Sequence, residues 1–404
     1  MDKQTAYKRN IIKQLYFSGA LSCADLSLLT DKSLPLTTKI LNELIEDGSV
    51  KETGYASSTG GRRPQIYALK PDLMYVVSVA MDQLITRFAI IDMGNNLIGG
   101  IEKIELVLPG NPNAVKQLKD QLEQFIKKTG IPKTKIAGIG IGMPGFVDVK
   151  KGINLSFLKT EQGSIVSYLE SAIGVPVLID NDSSLIALAE LRLGAARNHE
   201  QAMVINISWG VGLGMIVNGG LFRGHNGFAG EFSHIPLFTN NKLCSCGKRG
   251  CLETETSLLV LAEKAVRRLK EGKTSSLKNL SLDHMEETAA AIMDAAVRGD
   301  YFAIELFSEI AYNIGRGVAI LIHLLNPQLI VLSGRGSGAG KLWLAPIQQA
   351  INEHCIPKIA ENTEVRLSSL GHHAEIMGAA ALVMENYDTL ESTLDRPPLA
   401  KAVA

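Results

Sequence analysis

His225-Asn-Gly-Phe-Ala-Gly-Glu231-Phe-Ser-His234-Ile-Pro236, and seven residues later Cys244-Ser-Cys246-Gly-Lys-Arg-Gly-Cys251-Leu-Glu253, is the stretch around which the rest of the chain reads. Three of the five cysteines fall within eight residues, and His234 lies ten positions before the first of them. Three thiols and an imidazole at this spacing form the donor set of a closed, tetrahedral structural zinc site. Incidental buried thiols are the plainer alternative, though Cys-x-Cys-x4-Cys is rare by accident in a chain with so few cysteines. Gly247 and Gly250 give the knuckle its backbone freedom. Folding the knot carries Glu231 and Glu253 towards it, where they need not be ligands. A zinc with four protein ligands has no open position, so the expected role is to clamp a loop that presents Glu231, His234 and Glu253 to a hydroxyl-rich ligand.

The chain has 404 residues, 41 basic against 41 acidic, and 38 glycines. That length suits two or three domains with a large core. The zero formal charge excludes nothing about partners by itself, but its distribution is uneven. Residues 1–70 carry ten Lys and Arg against seven Asp and Glu, which leaves 31 against 34 for the remainder. A basic head on an acidic body is compatible with a DNA-facing module. No apolar secretory segment follows the N-terminal charges, and the run Val318–Leu332 is cut by His323, Asn326 and Pro327, so no membrane span is expected. Clustered thiolates point to a reducing compartment, the cytoplasm.

In residues 1–70 three helical patterns follow one another. Ile11, Ile12, Leu15 and Tyr16 precede a stop at Gly19. Ser22 to Asp25 has the capping-box pattern, with Leu26, Leu28 and Leu29 after it. The third helix starts near Ser33, takes Pro35 in its first turn and stops at Gly48. It is expected to turn Leu36, Ile40, Leu41, Leu44 and Ile45 inward and Thr37, Thr38, Lys39 and Asn42 outward. Two short strands, Val50 to Thr53 and Gln65 to Leu69, flank a Gly/Ser-rich tip bearing Arg62 and Arg63. This is the order of a winged helix-turn-helix, with Thr37, Thr38, Lys39, Arg62 and Arg63 as the DNA-binding candidates. A helical dimerisation module is the alternative.

Residues 73–190 read as a first α/β lobe completed by 372–386, residues 191–371 as a second lobe, and 387–404 as a tail. Tyr75 to Ala80 and Arg87 to Asp92 read as an apolar hairpin, and the strands that alternate with helices after it predict mainly parallel sheets. Gly142-Met-Pro-Gly145 and Asp180-Asn181-Asp182 sit where strands should end, the usual place for ligands in such folds. Asp182 could take a proton from a sugar hydroxyl, although a helix-capping cluster reads equally well. The glycine clusters Gly210–Gly214 and Gly334–Gly338 read as tight turns after strands, without the lysine and hydroxyl of a P-loop.

Taken together, Gly142–Gly145, Asn154-Leu155, Asp180–Asp182, Gly219–Arg223, Gly227–His234, Cys244–Glu253 and Glu375–Ala380 resemble the ROK family of sugar kinases and transcriptional repressors over nearly the whole chain. The resemblance implies a two-lobed, actin-like, ribonuclease H-like fold with a sugar between the lobes. It implies sugar contacts at Asn154, Asn181, Asp182, Glu231, His234 and Glu253, and zinc ligands at His234, Cys244, Cys246 and Cys251. Asp182 stands where the kinases keep their catalytic base. Two phosphate-binding elements depart from the family pattern. Its Asp-x-Gly-Gly-Thr is Ala80-Met81-Asp82-Gln83-Leu84 here, and its Gly-Thr-Gly is Ser208-Trp209-Gly210.

With the winged head attached, the chain is similar to the repressor branch. The expectation is therefore a sugar-responsive, operator-binding homodimer or homotetramer without enzymatic activity, in which Asp182 is a vestigial base. A sugar kinase with a regulatory head is the rival, and regulation by a partner protein is another. Leu34 and Pro35 replace the Arg and Ser common in relatives, so the operator should differ.

Overall fold

The computed structural model describes residues 2–56, 63–160 and 163–390. The chain forms two compact units, residues 1–182 with 376–404, and residues 183–375.

The head comprises α1 (Lys3–Ser18), β1 (Leu21–Ser22), α2 (Cys23–Thr30), α3 (Leu34–Glu46), β2 (Val50–Tyr55) and β3 (Gln65–Leu69), with the strands in the order β1-β3-β2. Its helix signals act as expected. Gly19 caps α1 at positive φ, and Ser22 and Asp25 close a reciprocal capping box at the start of α2. In α3 the inward stripe is Thr37, Ile40, Leu41 and Leu44, the i, i+3, i+4, i+7 set that one helical face dictates. Thr37 is therefore fully buried, with its hydroxyl 2.6 Å from that of Tyr7 and 3.0 Å from the Ser33 carbonyl. Leu36 is 41 % exposed. The outward placement of Thr37 and the inward placement of Leu36 are both corrected: helical phase and the Tyr7 hydroxyl outweigh residue-by-residue hydropathy.

The first lobe adds β4 (Tyr75–Met81), β5 (Ile85–Asp92), β6 (Leu97–Glu105), α4 (Ala114–Thr129), β7 (Ile136–Met143), β8 (Val147–Asp148), β9 (Ile153–Asn154), α5 (Ile165–Ile173) and β10 (Val177–Asn181). The second unit contains α6 (Asp182–Leu193), which starts at the boundary, then β11 (Ala202–Ile207), β12 (Val211–Val217), β13 (Gly220–Leu221), α7 (Leu258–Lys270), α8 (Met285–Val297), α9 (Tyr301–Leu325), β14 (Leu329–Ser333), α10 (Leu344–His354), α11 (Pro357–Ala360) and β15 (Glu364–Leu367). Helix α12 (Ala374–Glu385) returns the chain to the first unit.

The two large sheets share one plan. One runs β10-β7-β4-β5-β6 and the other β15-β14-β11-β12-β13. In each, the first three strands form an antiparallel meander and the last two join in parallel. The expected mainly parallel sheets are thus mixed, because short turns such as the one between Met81 and Ile85 permit only antiparallel pairing. Among the described residues, no helix is long and apolar enough to cross a membrane.

Small residues decide how helices lie on these sheets. Strand β7 alternates Ile139, Ile141 and Met143 in the core under α4 and α5 with Gly138 and Gly140 on the opposite face. A Cβ on Gly140 would stand 2.0 Å from the Ala379 carbonyl oxygen of α12. In the second unit, Gly212 and Gly214 lie within β12, where a Cβ would meet Ser183 and Ala187 of α6 at 2.0 and 2.2 Å. These two glycines admit a helix, which corrects their reading as part of a turn.

The head is not an isolated bead. Ile11, Leu15, Tyr16, Ile40 and Leu44 belong to the same buried cluster as Val76, Ala89 and Ile91 of the first lobe and Ile376, Ala380 and Val383 of α12. Arg9 lies over the Tyr387 ring at 5.3 Å and donates to the Leu390 carbonyl, and Lys13 pairs with Asp388 at 3.3 Å. Among the described residues, one buried cluster therefore runs across the head boundary expected at residue 70.

Candidate metal centre and sugar site

The second unit pins the His225–Glu255 region by two apolar anchors. Phe232 and Leu252, each next to a candidate glutamate, are buried against α9, where Gly317 has room for them but none for a Cβ. Around these anchors the backbone closes tightly. Leu252 N–H donates to Ile235, Phe238 N–H to Gly250, and Cys244 N–H to Lys248. Gly250 has φ 73°, and a Cβ there would stand 2.0 Å from the Phe238 carbonyl oxygen, so only glycine fits this turn.

The clamp brings His234, Cys244, Cys246 and Cys251 together, with one ligand atom from each lying within 4.8 Å of all the others. Cys244 Sγ is 3.6 Å from His234 Nδ1, and Cys246 Sγ is 3.6 Å from Cys251 Sγ. A tetrahedral zinc with thiolates at about 2.3 Å places its sulfurs about 3.8 Å apart, so the donor set and spacing fit that ion. Burial and the neighbouring thiols push the Cys251 thiol up to about 12. A divalent cation is the partner that offsets the clustering of thiolates. Bound there, zinc would act as a closed structural clamp.

His234 faces two ways. Its Nδ1 points to the cysteine cluster, while Nε2 is 3.6 Å from the Glu231 carboxylate. A carboxylate on the far nitrogen of a metal-binding histidine fixes ring orientation and tautomer. Burial raises the Glu231 carboxyl above its usual range, His234 opposes the shift and Glu253 adds to it, although about half of the Glu231 side chain still meets solvent. Glu253 accepts from the Ser245 hydroxyl at 3.5 Å. A Cβ on Gly210 would stand only 2.8 Å from Glu253 Oε2. The turn Ser208-Trp209-Gly210 therefore borders the carboxylate, a proximity that sequence spacing did not reveal.

That turn is filled. The Arg335 guanidinium lies 4.9 Å from the centre of the Trp209 ring and pairs with Glu286 at 2.6 Å. Gly334, at φ 83°, packs so closely on Asn206 and Ile207 that a Cβ would stand 2.2 Å from Asn206 Oδ1.

In the first unit the candidates separate into two kinds. Asn181 and Asp182 lie at the carboxyl end of β10 and the start of α6, both partly exposed. Asn181 Nδ2 donates to the Gly145 carbonyl at 3.1 Å, which joins the Asp180–Asp182 turn to the Gly142–Gly145 turn. Asn154, by contrast, is 2 % exposed. Its amide donates to Pro144, and its carbonyl accepts from the N–H groups of Ser156 and Phe157 at 3.0 and 2.9 Å. Asn154, which the resemblance places at the sugar, holds its own loop through these bonds.

On the head, Thr38, Lys39 and Arg63 are exposed, Thr37 is not, and Arg62 lies outside the described residues.

Comparison with known proteins places these observations. Residues 99–386 match the ROK family. The xylose repressor of Caldicellulosiruptor bescii is 28 % identical over 389 residues, covering 93 % of this chain and 94 % of that protein. A glucokinase of Halalkalibacterium halodurans is 33 % identical over 280 residues, covering 68 % of this chain and 84 % of the kinase. The crystal structure of a ROK family transcriptional regulator superposes with a TM-score of 0.76 at 24 % identity, over 95 % of this chain and 97 % of that one. With its α/β architecture and the family match spanning well over half its length, the chain belongs to the ROK family.

Proposed function

We propose that this protein is a sugar-responsive transcriptional repressor whose head binds operator DNA and whose body senses a monosaccharide or sugar phosphate. The observation that carries the reading is the head itself. Three helices and a strand pair, built into the core of a ROK body, present exposed Lys39 and Arg63, which suits a polyanion. The match to a xylose repressor runs over the head as well as the body, whereas the glucokinase match covers 68 % of the chain.

Glu231, His234 and Glu253 are the sugar-recognising groups of the second unit, and Asn181 and Asp182 those of the first. Zinc on His234, Cys244, Cys246 and Cys251 holds the second set in place. A sugar that binds the DNA-incompetent state more tightly shifts the protein away from its operator, since equal affinity for both states shifts nothing. A coupling of about 1–3 kcal/mol changes operator affinity about 5- to 150-fold. A homodimer or homotetramer would match two operator half-sites, and clustered thiolates with a DNA partner suit the cytoplasm.

Kinase chemistry is disfavoured by two turns. Trp209 stands where a nucleotide phosphate would need an open glycine turn, and Arg335 covers the ring. After β4, the Asp82 carboxylate accepts from the N–H groups of Leu84 and Ile85 at 2.8 and 2.7 Å, which closes that hairpin through a side chain rather than through glycines.

The test is anisotropy of the full-length protein on DNA from upstream of its own gene, at fixed salt, with and without a panel of monosaccharides and their phosphates. Tight binding released by one sugar is the expected result. Sugar-dependent ADP formation that is lost in Asp182→Asn would establish the kinase reading instead. Specific DNA binding that no sugar alters would move the signal to a partner protein.

A further inference from the structure

We propose that the first turn of α3 reads thymine methyl groups in the major groove, with Leu34 and Leu36 as the specificity-determining side chains. This inference rests on the repressor reading above and names the feature of the operator that the head selects.

The recognition helix of a winged helix-turn-helix contacts base edges through its N-terminal residues. In α3 those residues are Leu34, Pro35, Leu36 and Thr38, all exposed. Leu34 and Leu36 are 50 % and 41 % exposed, although the buried stripe beside them takes in a threonine. The hydroxyl of Thr38 donates to the Leu34 carbonyl at 2.9 Å and lies 3.3 Å from the Cys23 thiol. The outer surface of this turn is therefore predominantly apolar.

Among the four bases, thymine alone carries an apolar group on its major-groove edge, the C5 methyl. Lys32, Lys39 and Arg63 are exposed on the same module and supply cations for the flanking phosphates. Asp25 and Asp31 are exposed beside it too, but the head as a whole carries ten basic against seven acidic residues, and an apolar tip on a basic module matches a thymine-bearing duplex better than an apolar protein face. Leu28 of α2 is 82 % exposed, but it sits on the helix that crosses the backbone in such modules, and it serves as the control.

The experiment uses the full-length protein and a duplex that the protein itself selects from a random pool. Each thymine of the half-site is replaced in turn by uracil, which deletes the methyl and leaves the pairing edge unchanged. The expected result is that uracil weakens binding about fourfold at each thymine that is read. Leu36→Ala or Leu34→Ala should remove that thymine-to-uracil ratio, while Leu28→Ala leaves it unchanged. Equal affinity on thymine and uracil duplexes overturns this inference and leaves the repressor reading intact. Absence of sequence-selected DNA overturns both. A ratio that survives both leucine substitutions, or substitutions that change only the oligomeric state, assigns this face to a protein contact and also overturns the inference.

Discussion

Glu231 faces His234 Nε2 at 3.6 Å, on the opposite edge of the ring from Cys244. One imidazole thus joins the cysteine cluster to a carboxylate. Glu231→Gln keeps all four ligands but loses the charge that orients the ring, so zinc affinity should fall about tenfold. Cys246→Ser removes a ligand and should cost considerably more. Competition with a chromogenic chelator measures both. Equal zinc affinity in Glu231→Gln and wild type would show that the carboxylate plays no part in holding the metal.

The approach of α12 to β7 gives a stability prediction. A Cβ on Gly140 would fall 2.0 Å from the Ala379 carbonyl oxygen, a backbone atom that cannot rotate aside. Gly140→Ala should therefore destabilise the first unit by about 3 kcal/mol. At Gly220 a Cβ meets nothing nearer than the Val217 carbonyl at 4.0 Å, so Gly220→Ala should change little. Urea unfolding of the two variants decides the point, and matching midpoints would mean that the helix shifts at no cost.

What the sequence disclosed depended on distance along the chain. The four candidate metal ligands span 18 residues, and local spacing alone grouped the residues that the structure brings together. The helices of the head were legible for the same reason, since caps and stripes are local. Contacts set by tertiary structure were not. The partner of Thr37 is Tyr7, 30 residues away, so a polar residue inside α3 had no visible cause. Parallel pairing and the hairpin of β4 with β5 were anticipated, but the further antiparallel strands were not, because alternating apolar strands look alike in either direction. Nothing in the stretch around Asn154 predicted that Pro144, Ser156 and Phe157 would bond to its side-chain amide.

The stack of Arg335 on Trp209 joins residues 126 positions apart and gives a prediction about nucleotides. The wild-type protein should show no saturable binding of a fluorescent ATP analogue. Trp209→Thr with Arg335→Ala clears the ring and the cation over it, and should allow weak binding in the millimolar range, about 4 kcal/mol. Turnover should remain absent, because the Asp82 turn still lacks glycines. Wild-type protein that already binds ATP tightly would sink the idea that this stack keeps a nucleotide out.

Asp300 carries the clearest pH prediction. Its carboxylate caps α9 through the Ala303 N–H at 3.0 Å and accepts from Ser276 N–H at 2.7 Å and from the hydroxyls of Ser275 and Ser276 at 2.9 and 2.8 Å. Partial burial raises its pKa, but these bonds outweigh that effect and lower it from 3.8 to about 2. A depressed carboxylate adds stability that is present above its ordinary pKa and disappears as pH falls through the folded value. Discounted for solvent screening, this contribution is about 1–2 kcal/mol. Asp300→Asn should therefore be less stable than wild type near neutral pH, with the gap closing between about pH 4 and pH 2. Urea midpoints of the two proteins across that window test it. A gap that persists unchanged at the acid end would mean that the Asp300 charge contributes nothing and that hydrogen-bond geometry alone is lost.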